Sequence, residues 1–337
     1  MSGVMLDERK TAILRAVVRE YIETAQPVGS NHVVRAQGVN VSSATIRNEM
    51  AVLEQEGFLH QPHTSAGRVP TDKGYRYFVD HLTVPGQLDS QRSELVRDFF
   101  DTSHGALEKL LGDTSRLLAG LTDYAAVVIR PAAEAASIRS IQLVSLSVRM
   151  ATVVVVLSNG QVESEMIELA DEISAAKIAA TSAKLSSHAI GRTLESMGTV
   201  STTGDAEVDT IANACVRAFA TSRRQPADLA FVGGASHMAQ AFDAVDVVRN
   251  VLQALEHQHL VVGLLRSVLN RGLSVAIGAE HGVEPLAACA VVVKPYVVEG
   301  EPVGTIGVLG PTRMNYPRAL AVVEAVSEQL GRTLTEN

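Results

Sequence analysis

Apolar and polar positions follow helical spacing, then alternation, along the first eighty residues of this chain. Between Thr11 and Glu23, Ile13, Leu14, Val17, Val18, Tyr21 and Ile22 recur three and four apart and predict an amphipathic helix. Pro27-Val28-Gly29-Ser30 breaks that pattern, and Asn31 to Gln37 predicts a short second helix closed by Gly38. Either Ser42 or Ser43 can cap a third helix, whose apolar face is Ile46, Met50 and Leu53 and which Gly57 stops. Its opposite side carries Ser43, Thr45, Arg47 and Asn48. Phe58 to Gln61 then reads as a strand, His63 to Gly67 as a polar turn, and Arg68-Val69 as the return strand. Thr71 and Asp72 can cap a last short helix, Lys73 to His81, and Thr83 to Gln87 is the linker candidate.

The rest of the chain changes character twice. Leu88 to Thr122 is helical, with Leu95, Phe99, Ala106, Leu110, Leu117 and Leu121 as a broken stripe that suits a short coiled-coil arm or a helix packed on the next domain. Strands follow at Ala125–Arg130, Ser140–Ser147, Met150–Ser158 and Gln161–Leu169, the last two joined by Asn159-Gly160 as a hairpin. Helices are predicted over Ala175–Met197, Val208–Arg223 and Val245–Leu269, with a short strand and turn at Ala230–Gly234. Strands resume at Leu273–Ile277, Ala288–Val298 and Glu301–Leu309, and Pro317–Thr333 closes as a helix. A sheet interrupted by a helical block implies an α+β multidomain protein with an insertion. The expected divisions are 1–85, 86–170, an insertion at 171–246, and 247–337.

A helix, a short helix, a glycine turn, a polar-faced helix and a hairpin form the order of a winged helix-turn-helix. That arrangement puts one helix in a DNA major groove and a wing on the neighbouring backbone. The expected DNA contacts are Ser42, Ser43, Thr45, Arg47 and Asn48 from the helix, and His63, Thr64, Ser65 and Arg68 from the turn. Tyr75 and Arg76 join them, because the first turn of a helix offers free N–H groups to a phosphate. Tyr77 and Phe78 are expected to pack beneath the wing.

Charge changes this picture little. The net charge of −8 argues against nonspecific nucleic-acid binding by the whole molecule, but the basic and acidic residues balance before residue 85. With 46% hydrophobic and 20% charged residues and no apolar run of about 18, the chain reads as a cytoplasmic protein without an export signal or a membrane span. Cys215 and Cys289 lie far apart with no second pair and read as core. No cofactor or metal is expected, and no enzymatic role. Glu280-His281 lacks the further ligand a metal needs and reads as an exposed polar pair. His257 and His259 are two apart, on opposite faces of a helix, and Gly233-Gly234-Ala235-Ser236 lacks the lysine of a phosphate loop. Gly310 to Pro317 reads as a turn into the last helix, tied down by Arg313.

ATIRNEMAVLEQEGFLHQPHTSAGRVPTDKGYRYFV, from Ala44, resembles the N-terminal motif of the heat-inducible transcription repressor HrcA family. VGTIGVLGPTRMNYPRA, from Val303 to Ala319, matches the same family at the far end. The resemblance implies a GAF-like sheet domain with an inserted helical dimerisation domain. It also implies negative regulation of chaperone operons through double-stranded DNA carrying an inverted repeat, and upkeep of the active form by the GroEL-type chaperonin. A homodimer is expected because two-fold proteins read palindromes, with contacts from the inserted helices and from Leu95 to Leu121. The alternative is a transcriptional sensor with a small-molecule effector in the GAF-like domain; Val127, Val128, Ile129 and Val153 to Val156 read instead as filled core.

Overall fold

Asp7 starts the first helix by accepting the Lys10 N–H, and α1 (Glu8–Thr24) runs until Ala25 turns left-handed at φ 54°. It is followed by α2 (Ser30–Val33), one turn only, and by α3 (Ser43–Gln55). Ile13, Leu14, Val17 and Val18 of α1 are buried in one apolar cluster with Ile46, Met50 and Leu53 of α3, as their spacing predicts. Strands β1 (Leu59–His60) and β2 (Val69–Pro70) pair antiparallel, and Val28 exchanges backbone hydrogen bonds of 2.9 and 2.8 Å with Arg68 beside them. Helix α4 (Asp72–Tyr77) follows, and its last turn widens into a π-helical turn at Phe78–Leu82 where the sequence predicts α-helix. Tyr77 and Phe78 are buried, and Phe58 meets Tyr77 edge-on with ring centroids 5.6 Å apart.

The computed structural model describes residues 5–36, 38–64, 66–82, 88–103, 106–130, 136–147, 149–158, 160, 162–169, 173–201, 204–222, 230–242, 244–272 and 274–336. Ser65 of the expected turn, the linker at 83–87 and Asn159 fall outside them.

Beyond the linker, the expected helical stretch is two helices, α5 (Ser90–Thr102) and α6 (Leu107–Thr122). Ser103 is extended between them, so each helix sets its own phase. The buried positions are Val96, Phe100, Leu111, Leu118 and Leu121, whereas Leu95 is 52% exposed. The predicted stripe is therefore mostly one residue out of register.

The next strands are β3 (Ala125–Ile129), β4 (Ile138–Ser145), β5 (Met150–Leu157) and β6 (Val162–Glu168). They precede α7 (Ala175–Ala189), α8 (Ala206–Ser222), β7 (Ala230–Gly233) and α9 (Ala235–Ala241), a helix the sequence reading missed. After them come α10 (Val245–Glu256), α11 (Gln258–Asn270), β8 (Val275–Ile277), β9 (Cys289–Val298), β10 (Glu301–Pro311) and α12 (Tyr316–Glu336). A five-stranded antiparallel sheet has the order β7-β3-β10-β9-β8. Ala126, Val128, Val292, Ile306 and Val308 pack on one face with α6 and α12. Val127, Ile129, Val291 and Val293 pack on the other with α10 and α11. Both faces are covered, which explains the near-continuous apolar strands.

The strands over 138–168 do not join that sheet. They form their own, in the order β4-β5-β6, and the chain returns to the larger sheet at β7, next to β3. The excursion thus begins before β4, not at residue 171, and ends before β7, not at 246. Ile141, Leu143, Ala151, Val153 and Val155 face a core shared with Leu185 of α7 and Ile211 and Phe219 of α8. Among the described residues no layer covers the opposite face of the small sheet, around Val144, Val154 and Met166. Cys215 and Cys289 are both buried, and burial pushes each thiol up to about 12. Among the described residues no helix is long and apolar enough to cross a membrane.

Candidate nucleic-acid interface

Ser42, not Ser43, caps α3: its hydroxyl accepts the Thr45 N–H at 3.2 Å and lies 3.0 Å from the Thr45 hydroxyl. Ser43 instead donates to Asn31 Oδ1 at 2.7 Å and lies 2.9 Å from the Ser30 hydroxyl. These bonds tie the start of α3 to α2, and the apolar face of α3 is held by the core. What remains free is the outer side, where Arg47 and Asn48 are exposed and make no side-chain hydrogen bond or ion pair among the described residues.

The turn after β1 faces that side across a polar cleft of about 520 Å³ lined by Asn31, Arg47, Gln61, Thr64 and Arg68. Gln61 shapes the turn, its amide donating to Thr64 O at 3.1 Å and Ala66 O at 2.9 Å, and His63 and Thr64 are left exposed at the tip. Ser30, Asn31 and Gln61 are the residues that sequence reasoning missed. Their signal was weak, because a polar residue at a helix start or strand end has no periodic mark.

Three expected contacts are engaged elsewhere. Arg68 points back to α3, with Nε 2.8 Å from Glu54 Oε2 and its side chain only 17% exposed. Tyr75 is 2% exposed, its ring 6.0 Å from that of Tyr316, and burial pushes its phenol well above the ordinary value. Arg76 donates through Nε to Glu280 Oε1 at 2.9 Å and through Nη2 to Val275 O at 2.9 Å, and pairs with Asp80 at 3.2 Å. The start of α4 is not open to a phosphate either, since Thr71 Oγ1 accepts the Gly74 N–H at 3.1 Å. Tyr75 and Arg76 therefore leave the candidate face; Tyr75 joins α4 to the start of α12, and Arg76 joins it to β8 and the turn after it.

The other singled-out groups resolve into structure. Glu280 and His281 are not an exposed pair: Glu280 holds Arg76 and accepts the Ile277 N–H, and His281 is buried. The His281 ring bridges Leu286 O at Nε2 (3.0 Å) and the Val283 N–H at Nδ1 (3.2 Å), a pattern for the neutral ring, whose pKa burial lowers. His257 sits at the junction of α10 and α11, with its ring centroid 5.7 Å from that of His259, so the two do not lie on opposite faces of one helix. Gly233 is required by close packing, because a Cβ there would lie 2.6 Å from Ser115 O. Arg313 does tie its turn, donating to Ala241 O at 3.0 Å, and the Asn315 N–H donates to Tyr124 Oη at 2.8 Å. No group of three or more metal-ligating side chains occurs among the described residues.

Residues 108–320 match the model of the HrcA protein C terminal domain. The chain belongs to the HrcA family. It is 36% identical, over 98% of its own length and 97% of the relative's, to the heat-inducible transcription repressor HrcA of Pelotomaculum thermopropionicum. A Nocardioides protein of the same name is 37% identical over 98% of this chain and all of its own. A solved structure titled only as a hypothetical protein at 2.2 Å resolution superposes with a TM-score of 0.62 at 24% identity, covering 98% of this chain and 99% of that one. The HrcA family model ends before the last turns of α12 and begins at α6, so residues 5–82 rest on the full-length relatives.

Proposed function

We propose that residues 5–82 form a winged helix-turn-helix in a homodimeric repressor of heat-shock operons, with α3 entering the major groove and the turn after β1 serving as the wing. The observation that carries this reading is the Arg47–Asn48 pair near the start of a capped helix, exposed and, among the described residues, unpaired, with Thr64 lining the same cleft as Arg47 and His63 exposed beside Thr64. An arginine fork matches guanine O6 and N7, and an asparagine amide matches adenine N6 and N7. Two such units related by a two-fold axis read an inverted repeat in double-stranded DNA. The class of gene comes from the family, whose full-length relatives are named as heat-inducible transcription repressors. The five-stranded sheet is the GAF-like unit, and residues 136–222 are the inserted dimerisation unit. The protein acts in the cytoplasm, where its DNA lies.

Replacing Arg47 by Ala is expected to cost about 1–3 kcal/mol on the specific duplex and little on scrambled DNA. Titration of both duplexes at one salt concentration checks this, with circular dichroism as the folding control. Equal losses on the two would remove Arg47 from base reading.

The active form is maintained by a GroEL-type chaperonin. Folding topology supports this: β3 pairs with β7 and β10 across the intervening 136–222 excursion. Such long-range pairing folds slowly and exposes apolar surface meanwhile. Denatured protein refolded with chaperonin should recover several-fold more operator-binding activity than without it, and an unfolded competitor should reduce the gain. Equal recovery in both samples would move control to thermal unfolding or an effector.

A further inference from the structure

Helix α4 is bolted at both ends of its contact. Toward the candidate DNA face, Thr71 Oγ1 donates to Gly57 O at 2.7 Å, Lys73 Nζ donates to Glu56 O at 2.7 Å, and the Lys73 ammonium lies 4.3 Å from the Phe58 ring centroid. These bonds reach the end of α3. Toward the five-stranded sheet, Arg76 forks onto Glu280 and also donates to Val275 O, while Asp72 Oδ2 accepts the Ala279 N–H at 3.4 Å. The sheet side is itself braced, because Glu280 Oε2 accepts the Ile277 N–H at 2.9 Å and Arg271 donates to Glu280 O at 2.6 Å. Gly278 shows how close the approach is. Its φ is +54°, and a Cβ there would lie 2.1 Å from Asp72 Oδ2. The Arg76 and Glu280 side chains are only 23% and 31% exposed, so the paired charges lie largely out of water, where a fork geometry holds direction well.

We infer that the Arg76–Glu280 and Asp72–Ala279 contacts fix the angle of the DNA-binding unit on the sheet and thereby set the half-site spacing that the dimer accepts. Arg76 and Glu280 are positioning residues: neither lies on the candidate DNA face, and they act through the rigid path from α4 to α3. A dimer of units free to swivel would tolerate many spacings, whereas clamped units match one, since half-sites must present the same groove face. The inference rests on the dimeric DNA-binding reading proposed above.

The test uses the full-length protein with a single nitroxide label on Gln55→Cys, an exposed position at the end of α3. The native cysteines are buried with thiols pushed up to about 12, so they stay unlabelled. Pulsed dipolar spectroscopy of the DNA-free dimer then reads the distance between the two DNA-binding units. A narrow distribution is expected for the parent protein and a broad one for Arg76→Ala and for Glu280→Ala. In parallel, a half-site recovered from a randomised duplex pool is placed in inverted repeats whose spacer varies base pair by base pair. The parent should lose about tenfold in affinity two or three base pairs from its optimum, and the variants less than about threefold, with single half-site binding unchanged. A purely structural role would lower binding equally at every spacing. Equally narrow distributions, or an unchanged spacing optimum, in both single variants would overturn the inference. A parent protein that sediments as a monomer would instead overturn the dimer, and absence of binding to any inverted repeat would overturn the DNA reading.

Discussion

Val154→Glu is expected to leave the protein monomeric and to weaken binding to an inverted-repeat operator by about 10²–10⁴-fold, the factor that linking two sites confers. Val154 sits at the centre of the open face of the three-stranded sheet, between Gln142 and Ser164 on the neighbouring strands. Around it lie Val144, Thr152, Val156, Val162 and Met166, with Leu146 at the edge; Val162 and Met166 are 62% and 68% exposed. Large apolar side chains left exposed together on one sheet face suit an association site. The sequence reading placed the dimer contacts on the inserted helices and on Leu95 to Leu121, but α7 and α8 spend their apolar sides on the inner face of the same sheet, and Leu111, Leu118 and Leu121 are buried in the core of the chain itself. The outer face, with Val144, Val162 and Met166 exposed, is where the proposed second copy would sit. A carboxylate at its centre would be stripped of water on association without a partner, which costs several kcal/mol. In the separate chain Val154 is only half covered, so the same carboxylate stays solvated and the fold is retained. Sedimentation and operator titration together decide the matter. A dimeric Val154→Glu protein with parental operator affinity would place the interface elsewhere.

Tyr316→Ala is expected to destabilise the protein by about 3–5 kcal/mol, the range for emptying a fully buried aromatic site. Tyr316 opens α12, is fully buried, and packs in the cluster that runs from α1 through α4 to the five-stranded sheet. Its hydroxyl donates to Thr312 O at 2.5 Å, and its ring lies 6.0 Å from that of Tyr75. Tyr316→Phe keeps the ring and should cost only about 0.5–1.5 kcal/mol for the lost bond. Urea unfolding of both variants, followed by the secondary-structure signal, separates the two contributions. If Ala and Phe cost the same, the hydroxyl rather than the ring carries the stabilisation, and the packing argument fails. The loss should also loosen the N-terminal unit, because Tyr75 rests on the space that Tyr316 would vacate.

Local chemistry was legible in the sequence. The three N-terminal helices, the short strand pair after them and nearly every later strand follow from periodicity and turn residues, because the buried positions of one element report on that element alone. Ile46, Met50 and Leu53 could be read as a core face from their spacing, and Arg47 and Asn48 as its exposed counterpart, without knowledge of what α3 packs against. The buried cysteines and the tied turn at Arg313 were legible for the same reason. Partners distant in the chain were not. Strands β4, β5 and β6 alternate as clearly as any, yet alternation does not say which sheet a strand joins, and pairing among themselves takes them out of the larger sheet. Tyr75 and Arg76 carry the residue types of a phosphate site, but the path of the chain brings residues 275–281 against them and turns them inward. Charge shows the same divide: an arginine's type says that it will seek an anion, and only the fold decides whether that anion is a DNA phosphate, as the sequence suggested for Arg68, or Glu54 at the end of its own neighbouring helix.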